Sequence, residues 1–179
     1  MLIVTASPVW AHNFRLGFVA PMSGSQSEIG REVLDGFLLA TTEEDAHPDE
    51  SSDGHLGGLD SYVIEIDDST GEAATIEMVE DMVRSKKPLF VTGVFSAGLA
   101  SQIADVLKKS GSVLVNPVDS AMWREVTEAP GKLTTMSGES FNAAFKAAYG
   151  YKPNANVHRG YIAARLIAST VRSLPASQL

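Results

Sequence analysis

Small polar residues follow the first apolar segment of the chain and form a candidate binding corner. The segment FRLGFVA, residues 14–20, runs directly into Pro21-Met22-Ser23-Gly24. Serine hydroxyls and open backbone amides near the start of a helix suit a carboxylate. The corner has neither the Gly-x-Gly-x-x-Gly pattern nor the lysine of phosphate-binding loops. We therefore predict a site for a small polar ligand here, with Ser23 as one of its residues.

A second turn of small residues, GVFSAG at residues 93–98, calls for comparison with the serine hydrolases. In those enzymes the nucleophilic serine lies in a Gly-x-Ser-x-Gly turn between a strand and a helix, whereas here the spacing is one residue longer. The chain has four histidines, and none follows Ser96 with a clear acidic partner. We expect a turn whose amides and hydroxyls face a ligand crevice, and we predict a protein that is not an enzyme.

The connector at residues 41–59 concentrates acidic side chains and two histidines. Clustered carboxylates attract hard cations, and histidine adds affinity for transition metals. The acids do not follow the spacing of a calcium loop, so a solvated surface loop and a weak metal site both stay open. The metal candidates are His47, Asp49, Asp53 and His55.

Two adjacent carboxylates, Asp67 and Asp68, close an apolar run. Neighbouring residues of a strand point to opposite faces of the sheet, so the two do not form a catalytic pair. We predict that one of them caps a helix or forms the turn before Ser69-Thr70-Gly71.

The elements that must position these residues alternate along the chain. The pattern predicts strands at 14–20, 61–66, 89–92 and 112–116, and helices at 28–40, 71–85, 99–110, 140–149 and 156–174. Residues 131–138 are ambiguous, either a loop or a short strand at residues 132–136. The alternation predicts an α/β fold, a three-layer Rossmann-like parallel sheet with helices on both faces. Ligands of such sheets lie beyond the carboxyl ends of the strands.

Composition limits the partners of this chain. Its 22 acidic and 14 basic residues give a net charge of −8. An acidic protein without a basic face is not expected to bind nucleic acid or an anionic membrane surface. The absence of cysteine excludes disulfides, thiolate zinc sites and thiol nucleophiles. No apolar run approaches the ~18 residues that a membrane span needs, so we predict no membrane insertion.

The two ends of the chain are predicted to lie outside the folded unit. Residues 1–13 include an apolar stretch that ends at Ala11. Small or branched residues occupy the positions that a signal peptidase recognises before its cleavage site. They lack the basic leader of a whole signal, so we expect either a signal-peptide remnant or a flexible N-terminus. Residues 14–174 are predicted to form a single α/β lobe and residues 175–179 a tail.

Four segments of the chain together resemble a known family. They are residues 14–40, the strand that ends at Asp67-Asp68, residues 92–121 and residues 140–169. In order and spacing they resemble the type I periplasmic solute-binding proteins, specifically the branched-chain amino acid and amide group that serves ABC importers. The resemblance implies a periplasmic, exported protein without a cofactor. Such a protein binds a small polar ligand (an amino acid, an amide or a carboxylate) and works with the importer's membrane subunits.

Members of that family are longer and have two lobes that close on the ligand. Here residues 123–133 lead almost directly to the returning helices, so the resemblance implies a single, N-terminal-type lobe. One lobe covers only one face of a ligand, and we therefore expect weak binding. Surface that a second lobe would cover favours a homodimer or a partner protein. Met122 and Trp123 are candidates for that surface, and burial of both against the last helix is the alternative.

The resemblance also implies ligand-binding positions. In the branched-chain amino acid binders, the first lobe uses a serine in the third strand–helix turn and a threonine with neighbouring backbone after the fourth strand. By position these correspond to Ala97 or its neighbour Ser96, to Ser120, and to the backbone of Val118. The family's first-turn aromatic residue falls near Ile29. Two other functions stay open: a dimerising sensor or regulatory module on the same fold, and a metal-handling accessory protein that uses the acidic loop.

Overall fold

The computed structural model describes residues 13–43, 51–93, 96–116 and 138–175. These residues form strands and helices that alternate over most of the chain. The strands are β1 (Asn13–Ala20), β2 (His55–Leu56), β3 (Leu59–Asp67), β4 (Phe90–Gly93) and β5 (Val113–Leu114). The helices are α1 (Ser27–Glu43), α2 (Glu72–Lys86), α3 (Ala97–Leu107), α4 (Gly138–Tyr149) and α5 (Ala155–Ser173).

The five strands form one sheet in the order β2-β3-β1-β4-β5. β1 is parallel to β3 and β4, and β4 is parallel to β5. The predicted α/β fold is therefore confirmed, with one correction: β2 pairs antiparallel with β3, so the sheet is mostly and not wholly parallel. The two strands are joined by Gly57 and Gly58, whose φ angles of 67° and 89° fit the two-residue turn of a tight hairpin.

Helices cover both faces of the sheet, as predicted. One apolar core lies beneath α1, α4 and α5 and takes Phe14, Leu16 and Phe18 from β1. The other lies beneath α2 and α3 and includes Val19 from the same strand. Side chains of a strand alternate between faces, so β1 contributes to both cores.

Close backbone contact sets the position of the returning helix α5 against α1. A Cβ atom built on Gly36 of α1 would overlap the carbonyl group of Val157, and one built on Gly160 of α5 would overlap that of Val33. Only glycine permits this approach of the two backbones. The segment before α5 is also tied to α1, because Asn154 Nδ2 donates to Glu32 Oε1 at 2.6 Å.

Most predicted boundaries lie within a few residues of those observed. α1 reaches Glu43, three residues beyond its predicted end, whereas α3 stops at Leu107, since residues 108–111 form a turn. The ambiguous residues 132–136, with Met122 and Trp123, lie outside the described residues. Among those described, no helix has the length and apolar character needed to cross a membrane.

Candidate functional site

An open cleft of about 460 Å³ lies at the carboxyl ends of β1 and β3 and extends to the start of α3. We call it the ligand cleft. Its lining includes Ser23 and Gly24 from the first turn, Asp68 and Glu72 from the second, and Ser96 from the third. Two of the predicted ligand residues, Ser23 and Ser96, are therefore brought together. This is the edge at which open α/β sheets bind their ligands.

Asp67, the last residue of β3, holds the first turn in place. Its Oδ1 accepts hydrogen bonds from the backbone N–H groups of Met22 and Ser69, each at 3.0 Å. The Ser23 hydroxyl also donates to this carboxylate, and the Ser69 hydroxyl donates to the Ser23 carbonyl at 2.8 Å. The bond from Ser23, followed by those from Ser69 and Met22, holds the pKa of Asp67 well below its usual range.

This arrangement confirms that Asp67 forms the turn before residues 69–71. The Ser23 hydroxyl lowers the pKa of Asp67, and Ser23 also lines the ligand cleft. Ser23 therefore stays a predicted ligand residue of this cleft.

Ser96 begins α3 and bridges two elements. Its Oγ accepts from the Leu99 N–H at 3.1 Å, which makes Ser96 the N-cap of the helix. The same hydroxyl donates to Glu72 Oε1 at 3.2 Å, and Gln102 Nε2 donates to Glu72 Oε2 at 3.4 Å. Glu72 therefore joins the N-terminal turns of α2 and α3 at the cleft wall. Ala97, the first residue of α3, is exposed.

The described lining of the ligand cleft is acidic. Asp68 and Glu72 contribute carboxylates, and no lysine, arginine or histidine is among the described residues that line it. Partial burial, together with the nearby Asp67 charge, raises the pKa of Asp68. The N-terminal ends of α2 and α3 add backbone N–H groups and partial positive charge. This combination suits a ligand that offers both hydrogen-bond acceptors and a positive or N–H-donating group.

The metal candidates within the described residues have structural partners. Asp53 Oδ2 accepts from the Val63 N–H at 2.8 Å, which fixes the start of the hairpin to β3. His55 is buried, with its Nε2 atom 2.7 Å from Asp60 Oδ1. Within the ranges that the structure describes, no group of three or more metal-ligating side chains is found. His47 and Asp49 lie outside those ranges, as do the ligand candidates Val118 and Ser120.

Sequence reasoning overlooked the roles of Glu72 and of the Asp67 hydrogen bonds. A glutamate in the first turn of a helix is common because it interacts favourably with the helix dipole, so Glu72 gave no distinctive signal. Asp67 bonds to Met22 across 45 residues of sequence, a pairing that only the folded sheet produces.

A comparison with known sequences supports the predicted resemblance. The chain is 28% identical over 120 residues to the Leu/Ile/Val-binding protein BraC3 of Rhizobium johnstonii. The alignment covers 64% of this chain and 29% of that protein, so the chain spans less than a third of the relative's length. No protein-family model matches the sequence.

Solved structures show the same fold. The substrate-binding protein LivJ of the branched-chain amino acid transporter from Streptococcus pneumoniae, in complex with isoleucine, matches 93% of this chain over 86% of its own, with a TM-score of 0.59 and 13% identity. An ABC-transporter solute-binding protein of Rhodopseudomonas palustris, in complex with 3,4-dihydroxybenzoic acid, matches 90% of this chain over 81% of its own, with a TM-score of 0.60 and 10% identity. The resemblance to type I periplasmic binding proteins, and their fold, are thereby confirmed.

Proposed function

We propose that this chain is a non-catalytic solute-binding lobe that holds a small polar ligand in the ligand cleft and serves an ABC-type importer. The observation that carries the proposal is the cleft itself, which lies at the carboxyl ends of β1 and β3, between the turn after β1, the turn after β3 and the start of α3. The similarity to BraC3 and the shared fold with solute-binding proteins support it. Export to the periplasm and contact with the importer's membrane subunits belong to the same proposal.

The hydrogen bonds of Ser96 favour binding over catalysis. A nucleophilic serine needs a base that is itself oriented by a third group. Here the Ser96 Oγ caps α3 and donates to a glutamate whose other oxygen is bonded to Gln102. Both bonds hold Ser96 at the start of α3, and neither gives its oxygen a general base.

The charges of the ligand cleft indicate which end of a ligand this lobe contacts. A carboxylate placed beside Asp68 and Glu72 would be repelled, whereas an ammonium or amide N–H group would be attracted. An amino acid would therefore present its ammonium group to this wall. Among the three classes expected from the sequence, amino acids and amides fit the described lining better than simple carboxylates do, because both can offer N–H donors to Asp68 and Glu72.

Binding by this lobe alone is expected to be weak. The cleft is open, and tight small-molecule sites bury most of the ligand surface. The described residues give no support to a large apolar dimer face, because among them Val113 is the one large hydrophobic side chain that is exposed, at 45%. The dimerising sensor therefore gains no support from this part of the surface.

Isothermal titration with three matched ligands tests the proposal. Leucine, leucinamide and isocaproate share one side chain and differ in charge. We expect leucinamide to bind most tightly, leucine less so and isocaproate least. Saturable binding of none of the three would contradict the proposed function for this ligand series, and tighter binding of isocaproate than of leucinamide would contradict the assignment of charge.

A single variant connects this preference to the cleft. Glu72→Gln removes one carboxylate and retains the hydrogen-bond acceptor for Ser96. It should lower the affinity for leucinamide by about two- to fivefold, because exposed ion pairs contribute modestly. The difference in affinity between leucinamide and isocaproate should therefore become smaller. Glu80→Gln removes an exposed charge from the same helix, away from the cleft lining, and should leave both affinities unchanged.

A further inference from the structure

A second cavity of about 650 Å³ lies at the amino ends of β1 and β4. These strand ends are opposite the carboxyl ends that line the ligand cleft. Its walls are the start of β1, the end of α2 and the turn between α3 and β5. Three cationic residues, Arg15, Arg84 and Lys87, line it, and none of its described lining residues is acidic. We call this cavity the basic cleft. Its volume lies in the range of small-molecule sites.

Strand alternation directs Arg15 toward this cavity. Its neighbours Phe14 and Leu16 belong to the core beneath α1 and α5, so Arg15 faces the opposite side, the one covered by α2. Two residues later Gly17 lies against Met82 of α2, where a Cβ atom would overlap the methionine side chain. Arg15 lies one step nearer the sheet edge, is exposed, and has no carboxylate partner among the described residues.

The end of α2 supplies the other two charges. Arg84 is 2.6 Å from Asp81, which offsets part of its charge, but both side chains are largely exposed and such pairs are held only weakly. Lys87 terminates the helix in the left-handed conformation, with φ 50° and ψ 58°, and its N–H donates to the Val83 carbonyl at 3.2 Å. The backbone at Lys87 is thus fixed, and no carboxylate partner of its side chain lies within the described part of the chain.

The helix dipole explains only part of this arrangement. Cations at the end of a helix offset its partial negative charge, which accounts for Arg84 and Lys87. It does not account for Arg15, which comes from a strand. Residues 84–112 contain five basic residues and one acid, although the chain as a whole carries a net charge of −8. That acid, Asp105, does not line the basic cleft, whose described lining carries three cations and no acid.

We propose that the basic cleft binds a small multivalent oxyanion, either a polycarboxylate or a polyphosphate. The planar guanidinium of Arg15 matches two oxygens of one carboxylate or phosphate group, and Lys87 adds a point charge for a second group. A ligand with several anionic groups is favoured because it can reach both residues at once. This site is independent of the solute bound at the ligand cleft.

Calorimetric titration of the whole chain with citrate and with pyrophosphate, at constant ionic strength, tests the proposal. At least one of them should bind saturably and much more tightly than acetate, and the one that binds identifies the class of anion. The double variant Arg15→Gln/Lys87→Gln should weaken that binding by about tenfold, the loss expected for charge-assisted hydrogen bonds. The matched control Lys146→Gln/Lys152→Gln removes two exposed cations outside the cleft lining and should bind like the wild type.

Two results would overturn the proposal: no saturable binding of either multivalent anion, or equal losses in the cleft variant and the control variant. Melting curves without anion check that the variants fold, and Arg15→Gln alone serves if the double variant does not. Leucinamide titrated into the same variant should bind with unchanged affinity. A failure of this site is thereby separated from a failure of the proposed solute binding.

Discussion

Asp67 illustrates at the residue scale how one carboxylate shapes the ligand cleft without lining it. It interacts with the Ser23 hydroxyl and with two backbone amides, and these interactions lower its pKa. A lowered pKa means that the ionised form stabilises the fold. That contribution is fully present above the pKa of the unfolded chain, about 4, and is lost as the pH falls below it toward the folded value.

Asp67→Asn should therefore reduce stability at neutral pH, and the difference from the wild type should shrink on acidification. Asparagine keeps one acceptor oxygen but not the charge that strengthens all three bonds. Urea unfolding at pH 7 and at about pH 3 measures the effect. The exposed Glu80→Gln is the comparison at each pH. If the difference in free energy of unfolding between Asp67→Asn and the wild type is the same at both pH values, the role assigned to the charge is contradicted.

Ser96→Ala should remove the N-cap of α3 and lower the free energy of unfolding by about 1 kcal/mol. The reason is that the Leu99 N–H loses its 3.1 Å acceptor. Ser101→Ala is the matched control, because Ser101 is exposed within the same helix, and it should stay within about 0.5 kcal/mol of wild type. Chemical denaturation of the two variants distinguishes loss of an N-cap from loss of any hydroxyl. Equal losses of stability in Ser96→Ala and Ser101→Ala would contradict the N-cap role of Ser96.

At the scale of elements, the approach of α1 and α5 depends on two glycines. Gly36→Ala and Gly160→Ala should each destabilise the chain by about 1–3 kcal/mol or more, since backbone must move to admit the new methyl group. Gly98→Ala, in α3, has room for the Cβ atom and should be neutral or stabilising by up to about 1 kcal/mol. Thermal melts of the three variants measure their relative stabilities. A Gly160→Ala protein as stable as the Gly98→Ala protein would contradict the packing described.

Elements with strong periodicity were predictable from the sequence, and short or long-range features were not. β1 and α5 each carry enough apolar residues to reveal their period, and the short connections between elements imply parallel strands. β2 has two residues, too few to show any alternation, so its antiparallel pairing had to be seen in the fold. The residue types at the ligand cleft were also predictable, as Ser23 and Ser96 show. Their partners Asp67 and Glu72 were not, because hydrogen bonds between distant turns depend on how the sheet is assembled.

At the scale of the whole molecule, the described linings of the two clefts carry opposite charge. The carboxyl edge has Asp68 and Glu72 in the ligand cleft, and the amino edge has Arg15 and Lys87 in the basic cleft. Net charge alone predicts an acidic protein and could not show this separation, because only the folded sheet brings the starts of its parallel strands together at one end and their carboxyl ends together at the other. Amines and oxyanions are therefore expected at opposite ends of the lobe.

Nuclear magnetic resonance of the ¹⁵N-labelled chain, titrated with leucinamide, tests the central claim most directly. If the ligand cleft binds solute, the amide resonances of Gly24, Ser69, Gly71 and Leu99 should shift together and saturate, while those around Arg15 and Lys87 stay in place. Isocaproate at the same concentrations should shift them less. Saturable shifts confined to other parts of the described surface, or none at ligand concentrations that saturate the calorimetric titration, would contradict a solute site at the carboxyl edge of this sheet.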